Sequence, residues 1–435
     1  MNLKKIVSIV LCSIMLVGCS QDMQDRKYGL DKDNPINVTV GTLEDTSLKN
    51  VIDDFNSTVG IDRGIVIEYK EVSSTDELSS MDIVSTDYDT IYSLCANNSI
   101  AELSSYFSAL DLGNTYLDTS IEDISFSGLK AIPTKLDVNI LALNKSEWES
   151  FASANALDTS SIETWDGILS VAETYYNSND GKPFLSIYSG YDIALEISYQ
   201  DANPLVTTSS NGASINLSKD VMQNVWNKVT APQIKGYFIY GGYENLESDT
   251  TVASYCKLSQ VTANDDVLIL QAPYDNNSTY KLDITAMAIN STDDAKIYAS
   301  VEFIKWLTST DINYKYAINS GCIPANKDCQ DVSNLKDYLN SDDISSNVNT
   351  TAEILAVELI ENKNVFRISP FDNISILETT LNTRINQTET HNTVTKRIQG
   401  GVLESKAYDG LLDSSSFKTW YDDICNQLRT TFGEQ

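Results

Sequence analysis

Residue types that carry most enzymatic chemistry are scarce in this chain. The sole histidine, His391, sits among Thr390, Asn392 and Thr393, so any Ser-His-Asp or Cys-His arrangement would rest on one ring. No GxSxG elbow, GxGxxG or HExxH occurs, and no GxxxxGK followed by Ser or Thr. Seven cysteines are present, none in a CxxC pair. With one histidine this comes close to excluding a His/Cys zinc site, and no metal or cofactor is expected. The 61 acidic residues offer countless carboxylate pairs, the chemistry of glycosidases. Without geometry each of these acids reads as part of a solvated face. The chain is therefore not read as an enzyme, and a surface glycoside hydrolase stands as the alternative.

The amino terminus reads as an address. Lys4 and Lys5 precede an apolar stretch, Ile6 to Val17, with the proportions of a signal h-region rather than a membrane span. It ends in Leu16-Val17-Gly18-Cys19, which resembles a bacterial lipobox. That resemblance implies cleavage before Cys19, lipidation of its thiol, and residence on the extracytoplasmic face of the cell membrane. Two or three acyl chains anchor stably because each buried CH₂ contributes roughly 0.8 kcal/mol. Ser20 to Asp33 is polar and patternless and reads as a flexible tether. Losing Lys4 and Lys5 from the 30 basic residues leaves 28 against 61 acidic ones, a formal charge of −33. Such a field repels nucleic acid. Of the five remaining cysteines, Cys95, Cys256, Cys322, Cys329 and Cys425, only Cys322 and Cys329 lie close enough in sequence to suggest a disulfide. Cys95 and Cys256 read as small buried thiols.

The elements that would position a site follow from periodicity. Ile36 to Gly41 alternates as a first strand. Ser47 can cap a helix with Leu48, Val51, Ile52 and Phe55 on one face. Ile65 to Val72 and Met81 to Ser85 are further strands, which is the rhythm of a parallel α/β sheet. Trp165, Ile168, Leu169, Ala172 and Tyr176 line a helix, as do Val221, Met222, Val225, Trp226 and Val229. Val267 to Leu270 and Ile284 to Ile289 read as buried strands. A long helix through Ala295, Tyr298, Val301, Ile304 and Leu307 would start at Ser291 or Thr292. A last helix carries Phe417, Trp420, Tyr421, Ile424 and Leu428. Thr207 to Ser214 and Asn340 to Thr351 read as loops or crossings.

Three stretches resemble the extracellular solute-binding proteins of ABC importers, in the family 1 group that includes maltose-binding protein. They are Met81-Asp-Ile-Val-Ser-Thr-Asp-Tyr-Asp89 running to Leu103, then Ala131-Ile-Pro to Leu143-Asn144-Lys145, then Ile284 through Glu302-Phe-Ile-Lys-Trp-Leu307 to Gly321-Cys-Ile-Pro324. Leu143 stands where the family carries a tyrosine, and Thr86 where several relatives carry a tryptophan. The resemblance covers most of residues 36 to 330. It implies an α/β, two-lobed periplasmic-binding-protein-like fold with a multi-strand hinge and an interlobe ligand cleft. The lobes would be 34–138 with 284–345, and 139–283 with 346–435. It also implies capture of a small solute, carbohydrate in class, for ABC permease subunits, by a monomer. A ligand-presenting sensor lipoprotein is a further alternative.

Ligands of open parallel sheets sit at the carboxyl ends of strands. Loops after the first and third strands then offer Glu44, Asp45, Tyr88 and Asp89. The resemblance adds Asp137 in the hinge segment, and Tyr188 and Tyr191 as aromatic platforms. Tyr243 and Tyr274 are further aromatic candidates. Carboxylates accept charge-assisted bonds from sugar hydroxyls, and rings pack on C–H faces. Trp165, Trp226 and Trp306 read as core.

Overall fold

The computed structural model describes residues 23–433, except 44, 98, 118–119, 121–125, 211, 341–345, 347 and 363. Cys19, the signal segment and Glu44 lie outside the described residues. The fold is mixed α/β, and the chain divides into two compact units. The first comprises Met1–Ile121, Phe126–Thr134 and Thr285–Tyr316. The second holds Lys135–Ile284 and Ala317–Gln435, together with 122–125. The chain thus returns to the second unit at Ala317, earlier than the expected 346. The reason is that Ile323–Pro324 pairs with Leu136 and Lys135, which belong to that unit. No helix among the described residues is long and apolar enough to cross a membrane.

In the first unit, strand β1 (Ile36–Thr42) lies parallel to β2 (Ile65–Glu71) on one side and β3 (Ile83–Asp87) on the other. β1 alternates as its sequence requires, with Val38 and Val40 fully buried. The following helix, Ser47–Phe55, buries Leu48, Val51, Ile52 and Phe55. Phe55 ends edge-on to Phe303 and Trp306, each at 5.1 Å between centroids. Ser47 is this helix's first residue and not its cap. Instead Asp45 Oδ1 accepts from the Ser47 N–H (3.2 Å) and hydroxyl. Likewise the helix Asp294–Leu307 is capped by Asp293, whose Oδ1 accepts from Ala295 N and Lys296 N, in place of Ser291 or Thr292. Asp82 braces this unit: it accepts from Thr39 N and Oγ1 (both 2.9 Å) and pairs with Lys296.

The segment read as a flexible tether is, from Asp25 onward, packed against the first unit. Arg63 holds Asp25 on one side and Glu302 on the other, and the Tyr298 hydroxyl donates to Asp25 Oδ1 at 3.0 Å. Tyr28 stacks on Tyr298 at 4.4 Å and 17°, and Leu30 is buried. Gly64, at φ +72°, lets the strap pass: a Cβ there would meet the Asp31 carbonyl at 2.3 Å. Polarity alone hid this docking, because the contacts are ionic and aromatic.

In the second unit, residues of the long strand β4 (Ala131–Asn144) pair antiparallel with β9 (Ala253–Lys257), β10 (Val267–Gln271) and β12 (Ile323–Pro324). β9 lies parallel to β5 (Leu185–Ile187), and β5 to β8 (Phe238–Tyr240). β6 (Val206–Ser209) and β7 (Gly212–Ile215) form a hairpin where a loop was expected. β11 (Tyr280–Ile289) contributes Tyr280 and Lys281, paired with β13 (Val365–Phe366). Its continuation, Thr285 to Ile289, pairs with β3 in the first unit. The helix Trp165–Ser178 buries Trp165, Ile168, Val171, Ala172 and Tyr175. Leu169 and Tyr176, assigned to that face from sequence, are only half-buried, because the buried stripe runs through their neighbours. The second expected loop lies partly outside the described residues. At its end Asn349 caps the helix Thr350–Glu361 by accepting from Ala352 N at 3.1 Å.

No disulfide joins Cys322 and Cys329, and both are buried. One precedes β12 and the other ends a 3₁₀ turn, Lys327–Cys329, and strand pairing commits the chain between them. Burial pushes the Cys322 thiol up to about 12, which disfavours the reactive thiolate. Cys256 is fully buried, as expected, while Cys95 is half-buried.

Candidate solute site

Parallel β5, β8 and β9 bring their carboxyl ends to one edge of the second unit. β4 runs the other way, with Asn139 opposite Lys257, so its early residues arrive at the same edge. β11 adds Lys281 and Asp283. Nine polar side chains meet there: Asp137, Asn139, Tyr188, Asp192, Glu196, Tyr255, Lys257, Lys281 and Asp283.

The deepest layer is fully buried. Glu196 accepts from Asn139 Nδ2 and Tyr255 Oη (2.8 Å each) and from the Lys281 backbone N–H (3.0 Å). Asp192 lies one helical turn before Glu196 on the helix Gly190–Gln200, so both carboxyls share one face. Asp192 accepts from the Tyr188 hydroxyl and pairs with Lys281 Nζ at 2.7 Å. The Tyr188 hydroxyl also lies 2.7 Å from Asn139 Oδ1. Tyr188 is thus tied inward by its polar tip, leaving its half-buried ring as the group a solute can meet. One ring face stacks on Tyr255 at 5.9 Å and 18°.

The outer layer is charged. Asp283 bridges Lys281 and Lys257, with the Lys257 ammonium 3.1 Å from Oδ2 and 5.8 Å from the Tyr188 ring centroid. Beside them, half-buried Asp137 Oδ1 accepts from Val138 N at 2.8 Å and from Ser259 N at 3.4 Å. Behind it, Glu353 on the helix Thr350–Glu361 is 1% exposed, and its Oε2 has no hydrogen-bond partner.

Burial sets the ionisation of these groups, and neighbouring charge corrects it. Desolvation pushes Asp137 up to about 6, with Lys257 and Ser259 pulling the other way. Glu196 rises to about 8 because burial outweighs its three donors. Glu353 is held well above the usual range by burial and then by Asp137. Burial also opposes ionisation of Asp283, yet Lys257 and Lys281 together hold it below the ordinary range. The site therefore presents acceptors and one neutralised ion pair.

Of the expected residues, Asp137 and Tyr188 meet here. Tyr191 does not face outward: it is 4% exposed, its N–H donates to Asn382 Oδ1 (2.9 Å), and Lys281 lies 5.7 Å from its ring. Tyr243 is buried at 3%, a core residue. Tyr274 is half-buried, its N–H bonded to Glu163 O at 3.0 Å beside Thr164, apart from these contacts. In the first unit, carboxyl ends of β1 and β3 carry Thr42, Asp45, Thr86, Asp87 and Asp89. Asp45 is engaged structurally, accepting from the Tyr316 hydroxyl at 2.6 Å besides Ser47. Tyr88 is buried and donates to Ser120 O at 3.0 Å, so it is a packing residue. Asp89 is half-buried in the first turn of the helix Tyr88–Cys95, capped by Asp87, which accepts from Thr90 N.

Asn139, Asp192, Glu196, Tyr255, Lys257, Lys281 and Asp283 escaped sequence reasoning. A signal existed: polar residues interrupt otherwise apolar runs, as at Asn139 within Val138 to Leu143, and at Asp192 and Glu196 four apart among Ile193, Ala194, Leu195 and Ile197. Among the described residues no group of three or more His, Cys, Asp or Glu could hold a metal. His391 is a packing residue, its Nδ1 3.2 Å from Ile234 O.

Solved structures share this fold at low identity. The cyclic alpha-maltosyl-1,6-maltose binding protein of Arthrobacter globiformis matches with a TM-score of 0.65 and 15% identity, over 91% of this chain and 100% of that one. The ABC substrate-binding protein Lmo0181 of Listeria monocytogenes, in complex with cycloalternan, matches at 0.67 and 11%, over 92% and 100%. The galacto-N-biose/lacto-N-biose I-binding protein of Bifidobacterium longum matches at 0.62 and 12%, over 91% and 98%. No curated protein matches the sequence. The bacterial extracellular solute-binding protein family matches residues 64–349, about two-thirds of the chain. With that family's model matched over more than half of its length, on a fold shared with these binding proteins, the chain belongs to the bacterial extracellular solute-binding proteins.

Proposed function

We propose that the captured solute is a carbohydrate, delivered to the permease subunits of an ABC importer by a monomeric protein lipidated at Cys19. The observation that carries the ligand class is the meeting of Asp137, the Tyr188 ring and the Lys257–Asp283 pair at one strand edge of the second unit. A sugar needs an apolar ring face and nearby acceptors for its hydroxyls, and this edge offers both. The neutralised lysines leave no uncompensated cation in this cluster to favour an anion. Solved neighbours of the same fold bind maltose-type and other oligosaccharides, which supports the class. On the first unit, half-buried Asp89, which follows the carboxyl end of β3, is proposed as a further solute-binding residue.

A thermal-shift panel of maltose, maltotriose, lacto-N-biose and tagatose tests this reading. At least one sugar should raise the melting temperature, since a ligand at 100 times its Kd adds about 2.7 kcal/mol. That sugar should be recovered intact. No shift with any sugar would sink the carbohydrate assignment, and cleavage would favour a hydrolase. Incorporation of labelled palmitate that persists in Cys19→Ala would refute the anchor.

A further inference from the structure

Glu196 has no solvent contact, yet three donors converge on it. An amide has its donors at one end and its acceptor at the other. Asn139 Nδ2 is drawn to Glu196 Oε1 and to Tyr255 Oη, each at 2.8 Å, so Oδ1 must point the opposite way. There it meets the Tyr188 hydroxyl at 2.7 Å. A flipped Asn139 would aim its amino group away from the carboxyl and lose both bonds.

Two further contacts complete the chain of positions. The bond from Tyr188 to Asp192 fixes where the hydroxyl lies but leaves the ring free to turn about its own axis. The ring plane is set by the stack on Tyr255, and Tyr255 is held by donating to Glu196 Oε2.

We infer that Glu196 is a positioning residue which, acting through Tyr255, fixes the ring plane of Tyr188 and, through Asn139, adds a second hold on the hydroxyl that Asp192 bonds, and so sets the aromatic surface offered to the solute. This rests on the proposed reading that Tyr188 meets the solute. Asp192 holds the hydroxyl through Oδ2 while its other oxygen serves Lys281, and it makes no contact that sets the ring plane. The groups that face Glu196 come from four elements: Asn139 on β4, Tyr255 on β9, Lys281 on β11, and Asp192 on its own helix. Burial raises its carboxyl to about 8, so Glu196 gains its second acceptor oxygen as pH climbs through that value.

Glu196→Gln keeps the shape and replaces one acceptor oxygen by a donor, so at pH 9, where the wild-type carboxylate is ionised, at least one of the three incoming donors is refused. Two readouts separate positioning from bulk stability. In the ligand-free protein, near-ultraviolet circular dichroism of E196Q should lose the tyrosine contribution that Y188F identifies. With maltotriose as the calorimetric probe, E196Q and N139A should each weaken binding roughly tenfold. The double variant should be no weaker than the worse single one, because both cut the same link. Wild-type affinity should change with a midpoint near pH 8, and that step should be absent in E196Q. Additive losses, or an unchanged tyrosine band beside a lowered melting temperature, would overturn the inference. If wild type does not bind maltotriose, the carbohydrate reading fails for that sugar, and the tyrosine band alone still decides the role of Glu196.

Discussion

Lys281 is the cation on which the inner carboxylates of the second unit depend, and Lys281→Met measures that dependence. Its ammonium lies 2.7 Å from Asp192 Oδ1 and also reaches Asp283 Oδ1. Side-chain exposures of 14% for Lys281, 7% for Asp192 and 24% for Asp283 place the triad largely out of water. Methionine fills the aliphatic volume, so packing changes little and the charge is what disappears. Asp283 keeps Lys257, whereas Asp192 loses the one cation it is bonded to. Removing one member of a buried pair costs about 3–5 kcal/mol, since the survivor stays desolvated and uncompensated. Partial exposure of Asp283 argues for the lower end, about 3 kcal/mol. Urea unfolding at pH 7 should therefore show a lowered midpoint with an unchanged slope. The double variant Lys281→Met with Asp192→Asn should recover most of the loss, because the orphaned charge is gone. A single variant within 1 kcal/mol of wild type, or a double variant no better than the single, would refute this electrostatic account.

Other outcomes follow from the same geometry. Glu196 and Asp137 have folded pKa values raised above those of an unfolded chain, so folding favours their protonated forms. Their contribution is present at acid pH and is lost as pH climbs from about 4 through about 6 for Asp137 and about 8 for Glu196. Unfolding free energy measured at pH 5 and 8.5 should fall by a few kcal/mol in wild type and by less in E196Q; an equal fall in both would remove Glu196 from the explanation. Glu353→Gln should leave the protein at least as stable at pH 8, read by thermal melting, because it removes a buried carboxyl whose Oε2 has no partner. Phe55→Ala, at a fully buried ring meeting Phe303 and Trp306, should cost about 3–5 kcal/mol in urea unfolding. Arg63→Met strips Asp25 and Glu302 of their shared cation and should speed proteolysis between residues 23 and 35, a site that wild type protects.

Periodicity carried the reading of the fold where burial is one-sided. β1 alternates, the Ser47–Phe55 helix repeats every three to four residues, and both signals survive without tertiary help. It failed where tertiary contacts overrule local polarity. The β6–β7 hairpin is built of Thr, Ser and Gly that read as a loop, and the strap at Asp25 to Leu30 docks by an ion pair and a ring stack. For the site, carboxyl-end logic led to Asp45, Tyr88 and Asp89 and the family resemblance to Asp137, Tyr188 and Tyr191, while Tyr191 and Tyr243 prove buried because their rings pack on partners distant in the chain. The supporting layer stayed hidden because Asn139, Glu196, Tyr255 and Lys281 are far apart in sequence and meet only through the pairing of β4, β9 and β11.

The strap through Asp25, Tyr28 and Gly64 also sets a leash length. It grips the first unit at Arg63 and Gly64, just before β2 begins, on the amino edge of a sheet whose carboxyl edge carries Thr42 and Thr86. Five residues separate Asp25 from Cys19, and even a fully extended chain spans no more than about 20 Å over those six residue steps. An acyl anchor at Cys19 would thus moor this unit within about 20 Å of the lipid surface, by the edge opposite Thr42 and Thr86.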